Sequence, residues 1–292
     1  MKNICVVHLV RAQNGIEPFV RFLESYCQHD GGVDHDLLIV FKGFDSSHLK
    51  EAYLKHLERI NFRTFDVPDI GFDITAYFAC AKRFNNEYRY FCFLNSYSLI
   101  QANGWLNKLY VQISRPKVGV VGATGSWQSH KAKRFIGISL AAKVVEHYRQ
   151  NSGVAIWKRC ILGIEAAYQF SRLLRESKHF PNYHLRTNAF MISSETMVKV
   201  ECRELVTKFD AYRFESGNDG LTQQILNMGK EVLVVGKDGI GYVMTQWNKS
   251  NTFWQAAQEN LLVADNQTRL YLHADAEMQS RLSNLAWGKE TW

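Results

Sequence analysis

Short apolar runs and amphipathic stretches alternate along the first 125 residues. Runs rich in β-branched and aromatic residues are typical of strands buried in a sheet. They lie at Asn3–Val10, Leu37–Phe41, Phe62–Val67, Tyr88–Leu94 and Val118–Val121. Helical spacing of apolar residues predicts helices over Glu17–Gln28, 46–60, Asp73–Phe84 and Trp105–Ser114. Residues that favour a helix start lie near the beginning of the first three, namely Pro18, Ser46 or Ser47, and Asp73. This order of elements predicts a mostly parallel α/β sheet with helices on both faces.

The alternation resumes after residue 180. Its predicted elements are a strand over Asn188–Ser193, a helix over Gly217–Gly229 and a strand over Glu231–Gly236. The residues from Phe253 onward read as helical, with Asp275 as the cap of the final helix. We therefore predict one α/β domain over 1–252, with a helical insert at about 130–180, and a helical extension over 253–292 packed on it.

Composition narrows the class of protein. The chain has 292 residues, of which 46% are apolar and 13% aromatic, with only four Pro, and this excludes disordered and collagen-like classes. Six cysteines are scattered without a C-x-x-C pair, which predicts reduced core thiols. No charged and then apolar leader opens the sequence, and no window approaches the ~20 apolar residues of a membrane span. We expect a folded cytoplasmic protein.

The formal charge of +7 is concentrated in residues 131–180, which contain ten basic residues and only three glutamates. The ten are Lys131, Lys133, Arg134, Lys143, Arg149, Lys158, Arg159, Arg172, Arg175 and Lys178. Helical spacing predicts two helices, at about 131–149 and 154–177. Such a pair can lie on an anionic membrane, bind nucleic acid or form a solvated face. Nucleic-acid binding is the weakest of the three, because the aromatic residues of this stretch lie mostly at helical core spacing.

Ligands of parallel α/β sheets bind at the carboxyl ends of the strands. The segments that follow the predicted strands are His8–Asn14, Lys42–Asp45, Asp69–Asp73 and Asn95–Ser98. Gly119, Gly122 and Gly125 also follow a strand and suggest a dinucleotide-binding turn. That fingerprint normally closes the first βα unit, however, and has an acidic residue on the next strand. Close packing or a tight loop is the better interpretation of these glycines.

Four segments in order resemble a bacterial glycosyltransferase of the GT-A fold, closest in layout to family 2. They are VVHLVRAQNG at 6–15, DIGFDITAY at 69–77, FLNSYSLI at 93–100, and LRTNAFMISSETM at 185–197 with ESGNDGLTQQILNMGKEV at 215–232. The resemblance covers about residues 3–240 and rests on order and spacing. It implies a Rossmann-like GT-A domain that binds a nucleotide-diphospho-sugar.

The resemblance also implies which residues bind the donor. The candidates are His8, Arg11, Asp69, Asp73, Asn95, Ser96 and Ser98. For Asp73 the alternative is a role as helix cap, which does not conflict with donor binding because the helix N-terminus faces the ligand crevice.

The family's Asp-x-Asp is replaced here by Asn95, Ser96, Tyr97 and Ser98. The family's aspartates hold Mg²⁺ or Mn²⁺ against the diphosphate, because hard divalent cations prefer anionic oxygens. The replacement disfavours metal binding at this loop. Cations such as Arg186 or Lys237 could neutralise the diphosphate instead, or ligands could come from elsewhere, with His273 and Asp275 as candidates.

The family places its catalytic carboxylate before the helix that matches 221–229. Glu215 and Asp219 are the candidates for the base that deprotonates an acceptor hydroxyl. Their alternatives are a loop surface charge and a partner of the helix dipole. Arg186 and Asn188 are candidates for the floor between acceptor and diphosphate, and Trp127 is a candidate for stacking on a sugar.

The sequence therefore predicts a glycosyltransferase that moves a sugar to a glycan or lipid-linked glycan in bacterial surface polysaccharide synthesis. Peripheral contact with the inner membrane face would use residues 131–180. One alternative is a catalytically silent subunit that binds nucleotide sugar or glycan. Another, resting on the glycines alone, is an NAD-dependent oxidoreductase.

Overall fold

A computed structural model describes residues 2–131 and 167–288 of the chain. Its strands are β1 Lys2–Arg11, β2 Asp36–Lys42, β3 Phe62–Val67, β4 Tyr88–Leu94, β5 Leu99–Ile100, β6 Val118–Gly122, β7 Gly125–Ser126, β8 His184–Leu185, β9 Ala189–Ser193, β10 Glu231–Val235, β11 Gly241–Val243 and β12 Val263–Ala264. Eight of them form one sheet in the order β11-β10-β6-β9-β4-β1-β2-β3. The pairs β12–β5 and β7–β8 form two small additional sheets.

The large sheet is mostly parallel. Strand β1 lies between β2 and β4 and is parallel to both. Strand β9 enters antiparallel between β4 and β6, and β11 is antiparallel to β10 at one edge. The predicted α/β class with a mostly parallel sheet is confirmed. The strands β1 to β4, β6 and β10 therefore end at one edge of the sheet, which is where parallel sheets bind ligands.

The helices are α1 Glu17–Gln28, α2 Ser47–Lys55, α3 Asp73–Phe84, α4 Trp105–Ile113, α5 over the described residues 167–176, α6 Ser194–Met197, α7 Lys208–Ser216, α8 Leu221–Asn227, α9 Asn266–His273 and α10 Ala276–Trp287. Two short 3₁₀ helices lie at Ala12–Asn14 and Met244–Lys249. Within the described ranges, no helix combines the length and hydropathy that crossing a membrane requires.

Two hydrophobic cores lie on the two faces of the sheet. Successive residues of a strand point to opposite faces, so Cys5 and Val7 of β1 join one core while Ile4 and Val6 join the other. The first core is covered by α3, α8, α9 and α10, and the second by α1 and α4. Trp287 of α10 belongs to the first core, so the tail packs on the sheet. The division at residue 252 stays a prediction.

The tail is helical only from Asn266, which corrects the prediction of helix from Phe253. Residues between them adopt positive φ at Trp254, Ala256 and Gln258. Left-handed backbone at non-glycine residues interrupts a right-handed helix. Asp275 does cap α10, since its side chain accepts a hydrogen bond of 2.8 Å from the Met278 N–H.

The predicted helix over Gly217–Gly229 is wrong at its start. Helix α7 ends at Ser216, and α8 begins only at Leu221 after a turn. A Cβ on Gly220 would lie 2.7 Å from the Phe214 carbonyl oxygen, so the turn depends on a residue without a side chain. Helix α7 itself carries a capping box, in which Thr207 and Asp210 bond to each other's backbone N–H groups.

The three glycines near β6 are explained by packing. A Cβ on Gly119 would lie 2.6 Å from a side-chain carbon of Ile225, and one on Gly122 would lie 2.8 Å from Leu185. A Cβ on Gly125 would likewise lie 2.6 Å from a ring carbon of Trp247. Close packing was the interpretation favoured by the sequence, and it leaves the dinucleotide-binding alternative without its motif.

Of the two predicted basic helices, residues 132–166 lie outside the described residues. Residues 167–176 are helical as predicted. Cys5, Cys80 and Cys92 are buried free thiols, as expected, whereas Cys27 is exposed on α1, where the prediction of a core thiol is wrong.

Candidate active site

The ends of β1, β2 and β3 bring a cluster of charges to one edge of the sheet. Arg11 and Lys42 are paired in the register of β1 and β2. Arg11 forms a two-pronged ion pair with Asp69, two residues beyond β3, at 2.9 Å from Nε to Oδ1 and 3.1 Å from Nη2 to Oδ2. Both side chains are partly exposed, so the pair contributes at most about 1 kcal/mol to stability and mainly fixes the geometry of the edge.

Lys42 is a buried cation that sequence reasoning did not single out. Its Nζ donates to the carbonyl oxygens of Gly71 and Phe72, at 2.9 and 3.0 Å. Burial lowers the pKa of its ammonium, and the nearby carboxylate of Asp73 opposes that shift. The signal in the sequence is a lysine at the last position of an otherwise apolar strand.

Asp73 begins α3 but does not cap it. The N-cap residue is Phe72, and no side-chain cap bond is present, so the predicted capping role is wrong. Burial raises the pKa of the Asp73 carboxyl, Lys42 and Arg11 lower it, and Glu215 raises it further. The fold thus brings three predicted site residues, Arg11, Asp69 and Asp73, to one place, and Glu215 lies within electrostatic reach of them.

The loop after β4 binds the Asn95 side chain within itself, whereas the Ser96 hydroxyl has no hydrogen-bond partner among the described residues. The Asn95 side-chain oxygen accepts hydrogen bonds from the Tyr97 N–H at 3.0 Å and the Ser98 hydroxyl at 3.1 Å. Ser98 has no exposed surface, and its contact with a donor stays a prediction. Asn95 and Ser96 are also almost wholly buried. This loop offers only neutral oxygens, most of them already engaged, and it does not fit a Mg²⁺ or Mn²⁺ ion.

His8 is part of the core and does not reach the crevice, which corrects its assignment to donor binding. The ring has no exposed surface and stacks on Phe22, with centroids 3.5 Å apart. Neither ring nitrogen has a hydrogen-bond partner among the described residues. Burial lowers the pKa of His8 to about 3, so the ring is neutral at physiological pH.

Arg186 and Asn188 lie between β8 and β9, beside the loop after β4. One guanidinium nitrogen of Arg186 donates to Asp265 at 3.0 Å, and the guanidinium carbon lies 4.3 Å from the centroid of the Phe253 ring. The Asn188 side-chain oxygen accepts from the Thr124 hydroxyl at 2.8 Å. Sequence reasoning missed Asp265 as a site residue. Asp265 also caps α9, and that role alone accounts for an aspartate before a helix, so the sequence does not indicate its contact with Arg186.

Glu215 lines a cavity of about 330 Å³. One of its carboxylate oxygens accepts from both the N–H and the hydroxyl of Thr187, at 2.9 and 2.8 Å. The other walls include Arg186 and Lys208 and the aromatic rings of Phe170, Tyr212, Phe253 and Trp254. The cavity therefore combines a fixed carboxylate, cations and apolar ring faces.

Asp219 lies elsewhere. It is exposed, forms a long ion pair of 3.5 Å with Arg203, and lines a different cleft of about 650 Å³ that does not include Glu215. The two carboxylates predicted to act together are therefore separated. The reason is the turn after α7, which places Glu215 on the helix and Asp219 beyond it.

Trp127 is not among the residues that line this cavity, and its stacking on a sugar stays a prediction. Its ring nitrogen donates to the Met244 carbonyl at 2.9 Å, and its ring packs edge-on against Trp287.

The candidate diphosphate residue Lys237 follows β10, four strands away from β1. The candidate metal ligands lie on the tail surface, where His273 is exposed in the last turn of α9 and Asp275 serves as a cap. Across residues 2–131 and 167–288, no group of three or more His, Cys, Asp or Glu side chains is arranged to hold a metal ion.

Comparisons with known proteins give partial structural matches only. No family model matches the sequence, and no curated protein matches it. The mannosyltransferase PcManGT from Pyrobaculum calidifontis, solved with GDP-Man and Mn²⁺, is similar at 14% identity and a TM-score of 0.33, over 41% of this chain and 34% of that one. TarS from S. aureus, solved with UDP-GlcNAc, is similar at 16% identity and a TM-score of 0.32, over 41% and 33%.

A third similar structure is from Desulfovibrio desulfuricans and is assigned as a nucleotide-diphospho-sugar transferase. It has 14% identity and a TM-score of 0.32, over 42% of this chain and 58% of that one. The matched part is less than two thirds of each of those chains, so function has to be argued from the residues of the site.

Proposed function

We propose that this chain is a glycosyltransferase that moves a sugar from a nucleotide-diphospho-sugar to an acceptor hydroxyl. The observation that carries the proposal is Glu215, a carboxylate fixed by two hydrogen bonds from Thr187 in a ring-lined cavity beside the charged edge of the sheet. Sugar transfer needs a carboxylate that accepts the hydroxyl proton and cations that stabilise the leaving diphosphate. Arg186 of the same cavity, with Arg11 and Lys42, supplies cations within this region.

In this proposal the donor lies at the ends of β1 to β4. Asp69 and Asp73 accept hydrogen bonds from the nucleoside, and Arg11 holds Asp69 in place. The acceptor enters the cavity, where the faces of Phe253, Trp254 and Tyr212 pack against the sugar and exclude water. The Glu215 carboxylate takes the proton of the acceptor hydroxyl as that oxygen attacks the anomeric carbon, and the nucleoside diphosphate leaves.

We infer that transfer does not depend on a divalent metal held by the loop after β4. The support is the chemistry of that loop, whose oxygens are neutral and whose Asn95 amide is already bonded to Tyr97 and Ser98. Activity in EDTA is the expected result.

The acceptor is proposed to be a glycan or lipid-linked glycan in bacterial surface polysaccharide synthesis. The support is the net charge of residues 131–180, which suits a cytoplasmic enzyme working peripherally at an anionic membrane face. We do not propose a nucleic-acid partner.

The test is a transfer assay with a panel of radiolabelled nucleotide sugars and lipid-extract acceptors, with and without EDTA. Release of nucleoside diphosphate together with labelled product, unchanged by EDTA, is expected. If calorimetry shows donor binding but no turnover is found, the chain is the catalytically silent binding subunit. Among the two alternatives to a transferase, the absence of acidic residues in the loop after β4 favours this silent subunit over the oxidoreductase. Absence of both binding and turnover with every donor would refute the proposal.

A further inference from the structure

Three buried hydrogen-bond donors near the loop after β4 have no partner among the described residues. They are Nη1 of Arg186, Nδ2 of Asn188 and the hydroxyl of Ser96. Ser96 and Asn188 each have only 5% of their surface exposed. Buried donors are nearly always bonded in folded proteins, so a group of three marks a place built for a ligand with acceptor atoms.

Backbone contacts hold these three residues in one cluster. The Asn95 N–H donates to the Asn188 carbonyl at 2.9 Å, which fixes Ser96 beside Asn188. The Arg186 N–H donates to the Thr124 carbonyl at 3.1 Å, and the Thr124 hydroxyl donates to the Asn188 side chain at 2.8 Å. The free donors therefore belong to adjoining parts of a single hydrogen-bonded network.

The tail adds charge to this cluster. Strand β12 pairs with β5, with Ala264 opposite Leu99, and so sets Asp265 next to the loop after β4. Asp265 is buried and holds one side of the Arg186 guanidinium at 3.0 Å. From α9, Nη1 of Arg269 donates to the Tyr97 carbonyl at 3.3 Å. Two guanidinium groups thus flank a single carboxylate, and the local balance is positive.

We propose that Arg186 and Arg269, with the Ser96 hydroxyl and the Asn188 amide, form a binding site for a phosphate-class anion, and that its ligand is the diphosphate of a nucleotide. The proposal rests on the proposed function for the identity of the nucleotide. Arginine presents a planar fork that matches phosphate oxygens, and three neutral or cationic donors suit an anion better than a metal ion. Arg186 lines the cavity of Glu215, which gives the anion a route to the cluster.

The tail has a defined part in this site. Asp265 positions Arg186 by holding the nitrogen that does not face the anion, and β12 fixes Asp265 against β5. The segment from Val263 to Arg269 lies beyond the region that resembles the family, yet it completes the site. A diphosphate bound there would be neutralised by guanidinium groups.

The first test is calorimetric titration of the full chain with inorganic pyrophosphate in EDTA. The wild-type protein is expected to bind it, and Arg186→Gln is expected to weaken binding by about tenfold or more, as for loss of a charge-assisted hydrogen bond. Arg269→Gln should weaken it by several fold, and Arg186→Lys should give an intermediate affinity because it keeps the charge and loses the fork. The matched control is Arg115→Gln, an exposed arginine that precedes β6 at the opposite edge of the sheet, and it should bind as wild type.

Asp265→Asn separates an anion site from a merely structural ion pair. Asparagine keeps the oxygen that caps α9, so the fold should be retained. Because the carboxylate oxygen that holds Arg186 is lost, the affinity for pyrophosphate should fall by several fold. A merely structural ion pair predicts lower stability with no change in affinity, and that result would overturn the positioning role of Asp265.

The ligand series distinguishes the sources of the anion. Affinity should rise from inorganic phosphate to pyrophosphate to a nucleoside diphosphate, whereas tighter binding of phosphate than of pyrophosphate would overturn the diphosphate assignment. Equal pyrophosphate affinity of wild type and Arg186→Gln would overturn the site even if sugar transfer is found. Conversely, pyrophosphate binding that depends on Arg186 in a chain without transferase activity would sustain the site and refute the proposed function.

Discussion

Two carboxylates four residues apart have different surroundings. Glu215 is partly buried in a ring-lined cavity and receives two hydrogen bonds from Thr187, while Asp219 is exposed beside Arg203. A base must be held within reach of the proton that it takes, and it must be sheltered from water if its charge is to matter. Only Glu215 meets both conditions.

Glu215→Gln should therefore lower kcat by about 10²–10⁴-fold, the range for loss of a general base. The amide oxygen can still accept from Thr187, so thermal unfolding should change little. Asp219→Asn is the matched control, because it makes the same chemical change four residues away, and it should keep wild-type kcat. Equal losses in the two variants, or loss only in Asp219→Asn, would contradict the assignment.

His8 gives a pH dependence that belongs to a single residue. Its pKa in the folded chain is about 3, below the value of about 6.5 for a free histidine. Below pH ~6.5 His8 therefore binds a proton in the unfolded chain but stays neutral in the folded chain. The contribution of His8 to the free energy of unfolding is complete above pH ~6.5 and declines as the pH falls towards ~3. This sign follows from a depressed histidine pKa.

Between pH ~7.5 and ~5.5 the free energy of unfolding should fall by about 1.4 kcal/mol on account of His8. Urea titrations of wild type and His8→Leu at the two pH values measure this, because other titrating groups contribute equally to both proteins. His8→Leu should lose less stability by that amount on acidification, and it should retain nucleotide binding. Identical pH dependence in the two proteins would show that His8 titrates normally.

At the scale of elements, β6 and its neighbours show how glycine permits close packing. Gly122 of β6 faces Leu185 of β8, and a Cβ there would lie 2.8 Å from the leucine side chain. Gly125 meets Trp247 in the same way. The glycines that resembled a dinucleotide-binding turn thus allow the small β7–β8 sheet and the Trp247 ring to approach the large sheet.

Gly122→Ala should destabilise the fold by about 1–3 kcal/mol through overpacking. Leu185→Ala alone should cost about 2–5 kcal/mol by leaving a cavity. In the double variant the new methyl group occupies space vacated by the leucine, so the combined loss should fall short of the sum by about 1 kcal/mol or more. Strict additivity in urea unfolding of the four proteins would mean that Gly122 is needed for some reason other than contact with Leu185.

Regular elements were predictable from sequence, and irregular ones were not. The predicted bounds of Phe62–Val67, Tyr88–Leu94 and Asp73–Phe84 match the observed ones. The two strands are rich in aromatic and β-branched residues, and apolar residues recur at helical spacing in Asp73–Phe84. The antiparallel insertion of β9 depends on pairing with β4 and β6, which are distant in sequence. The residues with left-handed backbone before α9 are not glycines, so the sequence does not indicate their conformation.

The candidate site was predictable only in part, for the same reason. Arg11, Asp69 and Asp73 follow strands whose ends meet at one edge, so topology alone brings them together. Asp265 and Arg269 reach that edge only through the pairing of β12 with β5, and two-residue strands leave no pattern in the sequence. His8 was misassigned because alternation along β1 does not tell which face opens to a ligand.

The whole molecule has an uneven distribution of charge, and this leads to the last prediction. Residues 131–180 account for the entire formal charge of +7. Each Lys or Arg near an anionic membrane surface contributes about 1 kcal/mol of attraction, and salt screens it, since the Debye length falls from about 10 Å at 0.1 M to about 3 Å at 1 M. The chain should therefore sediment with vesicles that contain phosphatidylserine at low salt, and it should be released at high salt.

A matched pair of charge-reversal variants assigns the binding to this segment. The triple variant Lys143→Glu, Arg149→Glu and Lys158→Glu should abolish sedimentation with the vesicles. The control triple variant Lys55→Glu, Lys82→Glu and Lys249→Glu has the same net charge but alters exposed lysines outside the segment, and it should still bind. If both variants lose binding equally, attraction follows the total charge of the molecule, and if wild type fails to bind anionic vesicles, the basic residues form a solvated face with no membrane role.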